Sequence, residues 1–273
     1  MKKIPLEDNF ADVIGKAQRG LGLSDSQLAE RARISSAEVR KLRGGEVDEM
    51  SIYRVGPILG LAGRALFDLA SGNWSAPELE LPDGFAIFNT AYGDMTVNSY
   101  LVWDAKKKRA VAFDTGADCS EMLARAKEAQ VRIEAILLTH SHVDHVAALE
   151  QLRAATGAPV YLGERESIPG AEPIVEGKEF SFGALAIETL LTWGHSKGGV
   201  TYFVRGLERP LAIVGDSIFA GSMGGGAVSY ADALQNNLEK ILQLPNETMI
   251  CPGHGPLTTV AHEQSANPFF AGK

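Results

Sequence analysis

The chain has 273 residues, 45% apolar and 22% charged, a balance that fits a globular protein and excludes a disordered or fibrous one. A net charge of −8 excludes a surface that grips nucleic acid all over, while leaving room for one basic face. Two cysteines, Cys119 and Cys251, are too few for a disulfide framework and read as free thiols of a reducing compartment.

Residues 1–70 read as short helices. Met1-Lys2-Lys3 has the charge of a signal-peptide start, but Glu7, Asp8 and Asp12 interrupt the apolar stretch that should follow. The longest clean apolar run near this end, 55–63, falls far short of the ~20 residues of a membrane span. The expectation is a soluble cytoplasmic protein with no membrane partner. Over 8–21, Phe10, Val13, Ile14 and Ala17 share one face at helical spacing. Ser24 reads as an N-cap with Gln27 as its capping-box partner, and Ser35 caps a further helix over 37–43, closed by Gly44-Gly45. Segments 51–61 and 64–70 complete a small all-α region.

Residues 71–83, rich in Ser, Pro, Gly and acid, read as a linker. From 84 to 273 the pattern changes to short β-branched runs alternating with helices. Strands are expected at 85–89, 100–103, 110–114, 135–138, 160–162, 185–190, 200–204, 211–214 and 249–251. Helices are expected at 120–129, 143–156 and 230–242. This is an α/β chain whose sheets are covered by helices.

The most informative segment runs from Ile136 to His145, where an apolar strand enters the pattern H-x-H-x-D-H. Extended alternation points His140 and His142 the same way, while Asp144 and His145, at a helix start, turn toward a second point. One segment can therefore feed two metal ions, and imidazole and carboxylate are donors that zinc, iron and manganese accept. His195 and His254 also lie in Gly-containing loops after expected strands, and so does Asp216. His262 matches no such context and reads as a solvated helix residue.

From about residue 85 onward the sequence resembles the metallo-β-lactamase superfamily. The motifs that carry the likeness, in order, are Asp114-Thr-Gly116, the His140–His145 cluster, Gly194-His195, Gly215-Asp216 and Gly253-His-Gly255. The resemblance implies an αββα sandwich with its site at one edge. It implies a first metal on His140, His142 and His195, a second on Asp144, His145 and His254, and Asp216 as the bridge. Asp114 would orient the ligand loop from behind. Within the superfamily the chain is most similar to short glyoxalase-II-like hydrolases, through residues 215–222, residues 252–259, Glu263 and Asn267-Pro-Phe269. The implied chemistry is hydrolysis of a small ester or thioester by a water that two divalent metals activate, most simply zinc, with iron or manganese as alternatives. Asp144 would steer the nucleophile or protonate the leaving group. A complete ligand set disfavours the one-iron sulfur dioxygenases of the same superfamily. Where relatives often carry a polar stretch after Gly215-Asp216, this chain has Met223-Gly-Gly-Gly-Ala227. Only 19 residues follow His254, too few for the C-terminal region with which glyoxalase II helps to hold glutathione.

Residues 10–70 resemble helix-turn-helix domains of the phage-repressor type, through 23–32 and 34–44. By that likeness the recognition helix would turn Ser36, Arg40, Lys41 and Arg43 toward DNA, and the protein would pair as a homodimer. Residues 1–75 carry a net charge of +1 against −9 for the rest, which favours this end as the DNA-facing one. Two functions follow as expectations: a metallohydrolase acting on a small molecule, and a DNA-binding regulator whose metal domain senses a ligand or redox state.

Overall fold

A computed structural model describes residues 4–273. The first five helices are α1 Phe10–Gly20, α2 Asp25–Ala32, α3 Ser36–Arg43, α4 Glu49–Ile58 and α5 Gly63–Ala70. Asn9 caps α1, accepting from Ala11 and Asp12, so the helix starts at Phe10, the first residue of its apolar face and two residues into the expected span. Ser24 and Ser35 cap α2 and α3 with the reciprocal bonds of Gln27 and Glu38.

Two six-stranded sheets follow. The first is ordered β1–β6: β1 Phe85–Tyr92, β2 Met95–Asp104, β3 Arg109–Phe113, β4 Arg132–Leu137, β5 Val160–Gly163 and β6 Ala171–Ile174. The second runs β14-β13-β10-β9-β8-β7, from β7 Glu179–Phe182, β8 Leu185–Leu191, β9 Val200–Arg205, β10 Leu211–Gly215, β13 Met249–Pro252 and β14 Thr258–Thr259. A separate hairpin pairs β11 Ile218–Phe219 with β12 Ser222–Met223. Remaining helices are α6 Ser120–Glu128, α7 Val143–Val146, α8 Leu149–Thr156, α9 Tyr230–Glu239 and α10 Val260–Ala266.

Three apolar clusters make the layers. Phe113, Leu137, Tyr202 and Ile213 fill the space between the sheets. Leu101, Ile136, Met122 and Leu152 join the first sheet to α6 and α8. Ala212, Val214 and Ile250 of the second sheet meet Tyr230 and Val260 of α9 and α10, and in the same cluster Ile14, Leu28, Leu42, Ile52 and Leu66 of α1–α5. Among the described residues the helical region therefore has no core separate from the sheets. Residues 71–83 mark a change of secondary structure, and they are fastened down: Trp74 is 8% exposed and donates Nε1–H to the Ala266 carbonyl at 3.0 Å.

Three sequence expectations need correction. The helix expected over 143–156 is two, α7 and α8, because Thr115 takes the His145 carbonyl with both its N–H and its hydroxyl, and Gly116 takes the Ala148 amide. The helix over 230–242 ends at Glu239 and tightens into a 3-10 turn over Ile241–Gln243. His262 lies on a helix as expected, α10, but is half-buried rather than fully solvated. Its ring meets the Trp74 ring at 5.1 Å, and burial lowers its pKa.

A candidate binuclear metal centre

Strand direction places the ligand residues. β10 and β13 are parallel, and β8 runs with them because β9 is antiparallel to both β8 and β10. Their C-terminal ends open into the loops of His195, Asp216 and His254 at one edge. In the first sheet β3 and β4 are parallel, and their ends lead to Asp114 and to the His140–His145 segment. Cross-sheet hydrogen bonds lock these edges together: Val200 N–H to Thr139 O at 2.8 Å, Asn98 N–H to Gly253 O at 2.7 Å, and Tyr202 Oη–H to Leu138 O at 2.6 Å.

The seven side chains converge in two groups, His140, His142, His195 and Asp216, and Asp144, His145 and His254, with ligand atoms within 4.8 Å of one another in each. In the first group His142 Nδ1 lies 3.0 Å from His140 Nε2 and 3.1 Å from His195 Nε2. His195 Nε2 is 3.4 Å from Asp216 Oδ2. In the second, His254 Nε2 is 3.2 Å and His145 Nε2 3.6 Å from Asp144 Oδ2. Asp216 touches both groups, with Oδ1 3.3 Å from His145 Nε2 and Oδ2 3.5 Å from His254 Nε2. The longer of these edges, 3.3–3.6 Å, belong to a tetrahedron whose centre is ~2.0–2.2 Å from each donor, the reach of a zinc-like ion, and the edges of 3.0–3.2 Å are slightly tighter.

The outer ring nitrogens decide which ring nitrogen faces this space. His145 Nδ1–H donates to Asp114 Oδ2 at 2.8 Å, His254 Nδ1–H to Thr96 O at 2.7 Å, and His195 Nδ1–H to Gly225 O at 3.0 Å. Thr139 gives its hydroxyl proton to Asp114 Oδ2, so it accepts from His140 Nδ1–H at 3.0 Å. Each of these four rings carries its proton outward and presents an Nε2 lone pair inward. In the neutral rings, lone pairs facing lone pairs and carboxylates repel unless positive charge, a proton or a metal ion, lies between them. Among the described residues, His145 Nε2 and Asp216 Oδ1 are buried without a hydrogen-bond partner. Gly253 completes the cradle, since a Cβ there would drive into Asp216 Oδ1 and the His145 ring. The residues fit a pair of cations.

Charge bookkeeping agrees. Burial works against a charged His145, but the Asp216 and Asp114 carboxylates outweigh it and raise its pKa to about 10. His254, also opposed by burial, is raised to about 11 by Asp144 and Asp216. Burial would raise Asp216, yet the adjacent imidazoles hold it well below the usual carboxylate range. For His140 burial and the His145 charge together push the pKa well down. The pocket seeks positive charge, and protons compete with metal for it.

Asp114 holds the ligand loop from behind: Oδ1 accepts Thr139 N–H at 2.7 Å and Oδ2 accepts from Thr139 and His145. Its backbone sits at φ 53, a left-handed conformation that costs a non-glycine residue about 1–3 kcal/mol and persists where surroundings over-determine it. Thr139, Thr96 and Asn98 carry no motif and have no signal in the sequence. Glu166 was also silent, although its carboxylate takes the Ser141 hydroxyl and the Gly198 N–H and so joins the His140–His142 loop to the His195 loop. Cys251, 0% exposed between the sheets, and Cys119 are both free and offer the site no thiolate.

Of the four residues expected to face DNA, Arg40 and Lys41 are exposed, Lys41 pairing with Glu46 at 2.9 Å, and Ser36 is half-buried. Arg43 is a correction. Its guanidinium turns inward and donates to Gln18 Oε1 of α1 at 3.0 Å.

The metallo-beta-lactamase superfamily pattern matches residues 92–254. The chain belongs to the metallo-beta-lactamase superfamily. Helices α1–α5 lie outside that match. The chain is 34% identical to the probable metallo-hydrolase YqgX of Bacillus subtilis, over 66% of this chain and 95% of that one. It is 26% identical to the hydroxyacylglutathione hydrolase GloC of Haemophilus influenzae, over 64% of this chain and 93% of that one. Among solved structures, a di-iron-bound form of TTHA1623 is 31% identical, superposes with a TM-score of 0.54, and covers 67% of this chain and 100% of its own. No helix of the described residues is long and apolar enough to cross a membrane.

Proposed function

We propose that this metallo-beta-lactamase superfamily member is a binuclear metallohydrolase of small esters or thioesters, of the glyoxalase-II-like kind. The observation that carries the reading is the meeting of two donor groups at Asp216, with four imidazoles proton-outward around it. Two divalent cations in such a site lower the pKa of a shared water toward neutrality and polarise a carbonyl or phosphoryl oxygen. The donor set is all nitrogen and oxygen, which suits zinc, iron and manganese. Asp144, 12% exposed and 3.2 Å from His254 Nε2, belongs to the second group and would orient the attacking water or return a proton to the leaving group. His142 is exposed, so the first group marks the mouth. Val143, Met95 and Tyr92, beside ligand-bearing segments, are 64%, 42% and 36% exposed and suit an acyl chain. The likeness to a hydroxyacylglutathione hydrolase points the same way.

The test is metal content of the purified chain together with turnover of a panel of thioesters, lactones, β-lactams and phosphodiesters. About two metals per chain and thioester turnover that Asp216→Ala abolishes are expected. Two metals with no turnover on any member would reject the hydrolase reading.

A second reading, a regulator that binds DNA through the helical region, draws on the capped α2–α3 pair with exposed Arg40 and Lys41. Glu38 and Glu46 lie exposed beside them, and Arg43 is withdrawn. Duplex binding that weakens steeply with salt would support it. Indifference to salt or absence of binding at low salt would exclude it.

A further inference from the structure

Residues 217–225 join two candidate ligands. Asp216 stands at their start, and the Gly225 carbonyl at their end receives the His195 Nδ1–H. Between them β11 and β12 form a two-stranded hairpin closed by Gly224 N–H to Ser217 O at 3.3 Å. Gly224 lies so close to the Asp216 carbonyl that a Cβ would overlap it. The position of the hairpin thus sets where Asp216 and the His195 ring lie. Its far limb, Met223-Gly-Gly-Gly-Ala227, has little side chain with which to hold itself.

It is held from two sides instead. From the C-terminal side Glu263 Oε2 accepts Gly221 N–H at 3.0 Å, and Asn267 Nδ2–H donates to Ser222 O at 2.8 Å. From the other side the hold comes from α1 and the residue before its cap. Ser222 Oγ–H donates to Asp8 Oδ2 at 2.6 Å, Lys16 Nζ donates to the Met223 carbonyl at 2.9 Å, and Lys16 and Asp8 form an ion pair. The Lys16 ammonium also lies 4.9 Å from the Phe219 ring centroid, and that ring stands edge-on to the His254 ring at 5.9 Å. Asp8 is free for this work because Asn9 caps the helix. Both side chains are nearly covered, 8% exposed for Asp8 and 14% for Lys16. An ion pair so placed returns little net stability, because desolvation offsets the attraction. What it supplies is a fixed register for the backbone it holds. The superfamily match begins at Tyr92, so this hold comes from the part of the chain outside it.

We propose that Asp8 and Lys16 are positioning residues of the metal centre: α1 fixes the 217–225 hairpin, and through it Asp216 and His195. Metal affinity then depends on α1, and bound metal in return tightens the docking of α1, since coupling between two sites is reciprocal. The proposal rests on the metal-centre reading above.

The test uses the full chain and zinc alone. Zinc affinity is measured by competition with a chromophoric chelator for wild type, Lys16→Met, Asp8→Asn and Lys16→Arg. Hydrogen–deuterium exchange of residues 10–20 and 217–225 is followed with and without zinc, and circular dichroism checks that each variant is folded. Removing an outer partner of a ligand typically costs about 10–100-fold in metal affinity. A loss of that size is expected for Lys16→Met and Asp8→Asn, with Lys16→Arg restoring most of it. Zinc is expected to slow exchange in α1 of wild type and not of Lys16→Met. Variants that bind zinc as wild type does, with α1 exchange indifferent to zinc, would overturn the proposal while leaving the metal centre standing. A wild type that binds no zinc would overturn both.

Discussion

Asp114 shows how one residue can brace both candidate donor groups without belonging to either. It fixes the Thr139 backbone and hydroxyl on one side and the His145 ring on the other. Asp114→Ala is expected to lose about 10–100-fold in metal affinity, as removal of hydrogen-bonding partners behind ligands generally does. Equilibrium dialysis against zinc would show it, and wild-type affinity would deny the role. The titration of the ligands gives a second expectation for the metal-free chain. His145 and His254 have folded pKa values raised to about 10 and about 11 from 6.5, so the stability they contribute is fully present below pH 6.5 and is lost as pH rises through 10–11. Asp216 is held low, so its contribution is present above its unfolded value of 3.8 and is lost in stronger acid. Metal-free protein is expected to be most stable between these limits and to weaken toward alkaline pH. Melting temperature against pH after chelation checks this, and a curve that climbs between pH 7 and 10 would refute it.

At the level of elements, the segment between α5 and β1 behaves as a strap. Trp74 reaches α10 through its indole N–H, sets its ring edge-on to His262, and packs against Gly221 of the hairpin. Truncating a buried Trp to Ala generally costs about 3–5 kcal/mol. Trp74→Ala is expected to fall in that range by denaturant titration, whereas a slack linker would lose less than about 0.5 kcal/mol. The break between α7 and α8 follows the same logic of competing partners. The loop after β3 takes backbone groups that an uninterrupted helix would use, and so aims Asp144 and His145 at the site.

For the molecule as a whole, the decisive feature is the shared outer core. Ile218, Met223, Tyr230, Phe269 and Phe270 are buried in one cluster with α1–α5. A fragment comprising residues 84–273 would expose them to water, and contiguous apolar surface of that kind drives association. The fragment is expected to aggregate or melt well below the full chain by light scattering and calorimetry. A monomeric fragment that melts with the parent would show the helical region to be dispensable for folding. Metal should stabilise the intact chain by mass action, about 4 kcal/mol when free metal is 1,000 times Kd. A chelator should therefore lower the melting temperature.

The division of information between sequence and fold follows from the range of the interactions. The capping box at Ser24, the cap at Ser35, the buried strands and the H-x-H-x-D-H segment are local, set by residues within a few positions of one another, and they are legible in the chain. So are the loop positions of the remaining candidate ligands, because glycine punctuation after an apolar strand is itself local. Strands β6, β7, β11, β12 and β14 escaped, being short or half-exposed edges with little periodicity. Arg43 looked free because the sequence lists its charge and not its neighbour: Gln18, 25 positions away, decides that it faces inward. The sequence determined which residues can hold metal. Tertiary structure decided that Asp216 is shared between the two groups, that the helices have no core apart from the sheets, and that Asp8 and Lys16 reach Ser222 and Met223 more than 200 residues away. These are contacts between segments distant in the chain, and no local pattern encodes them.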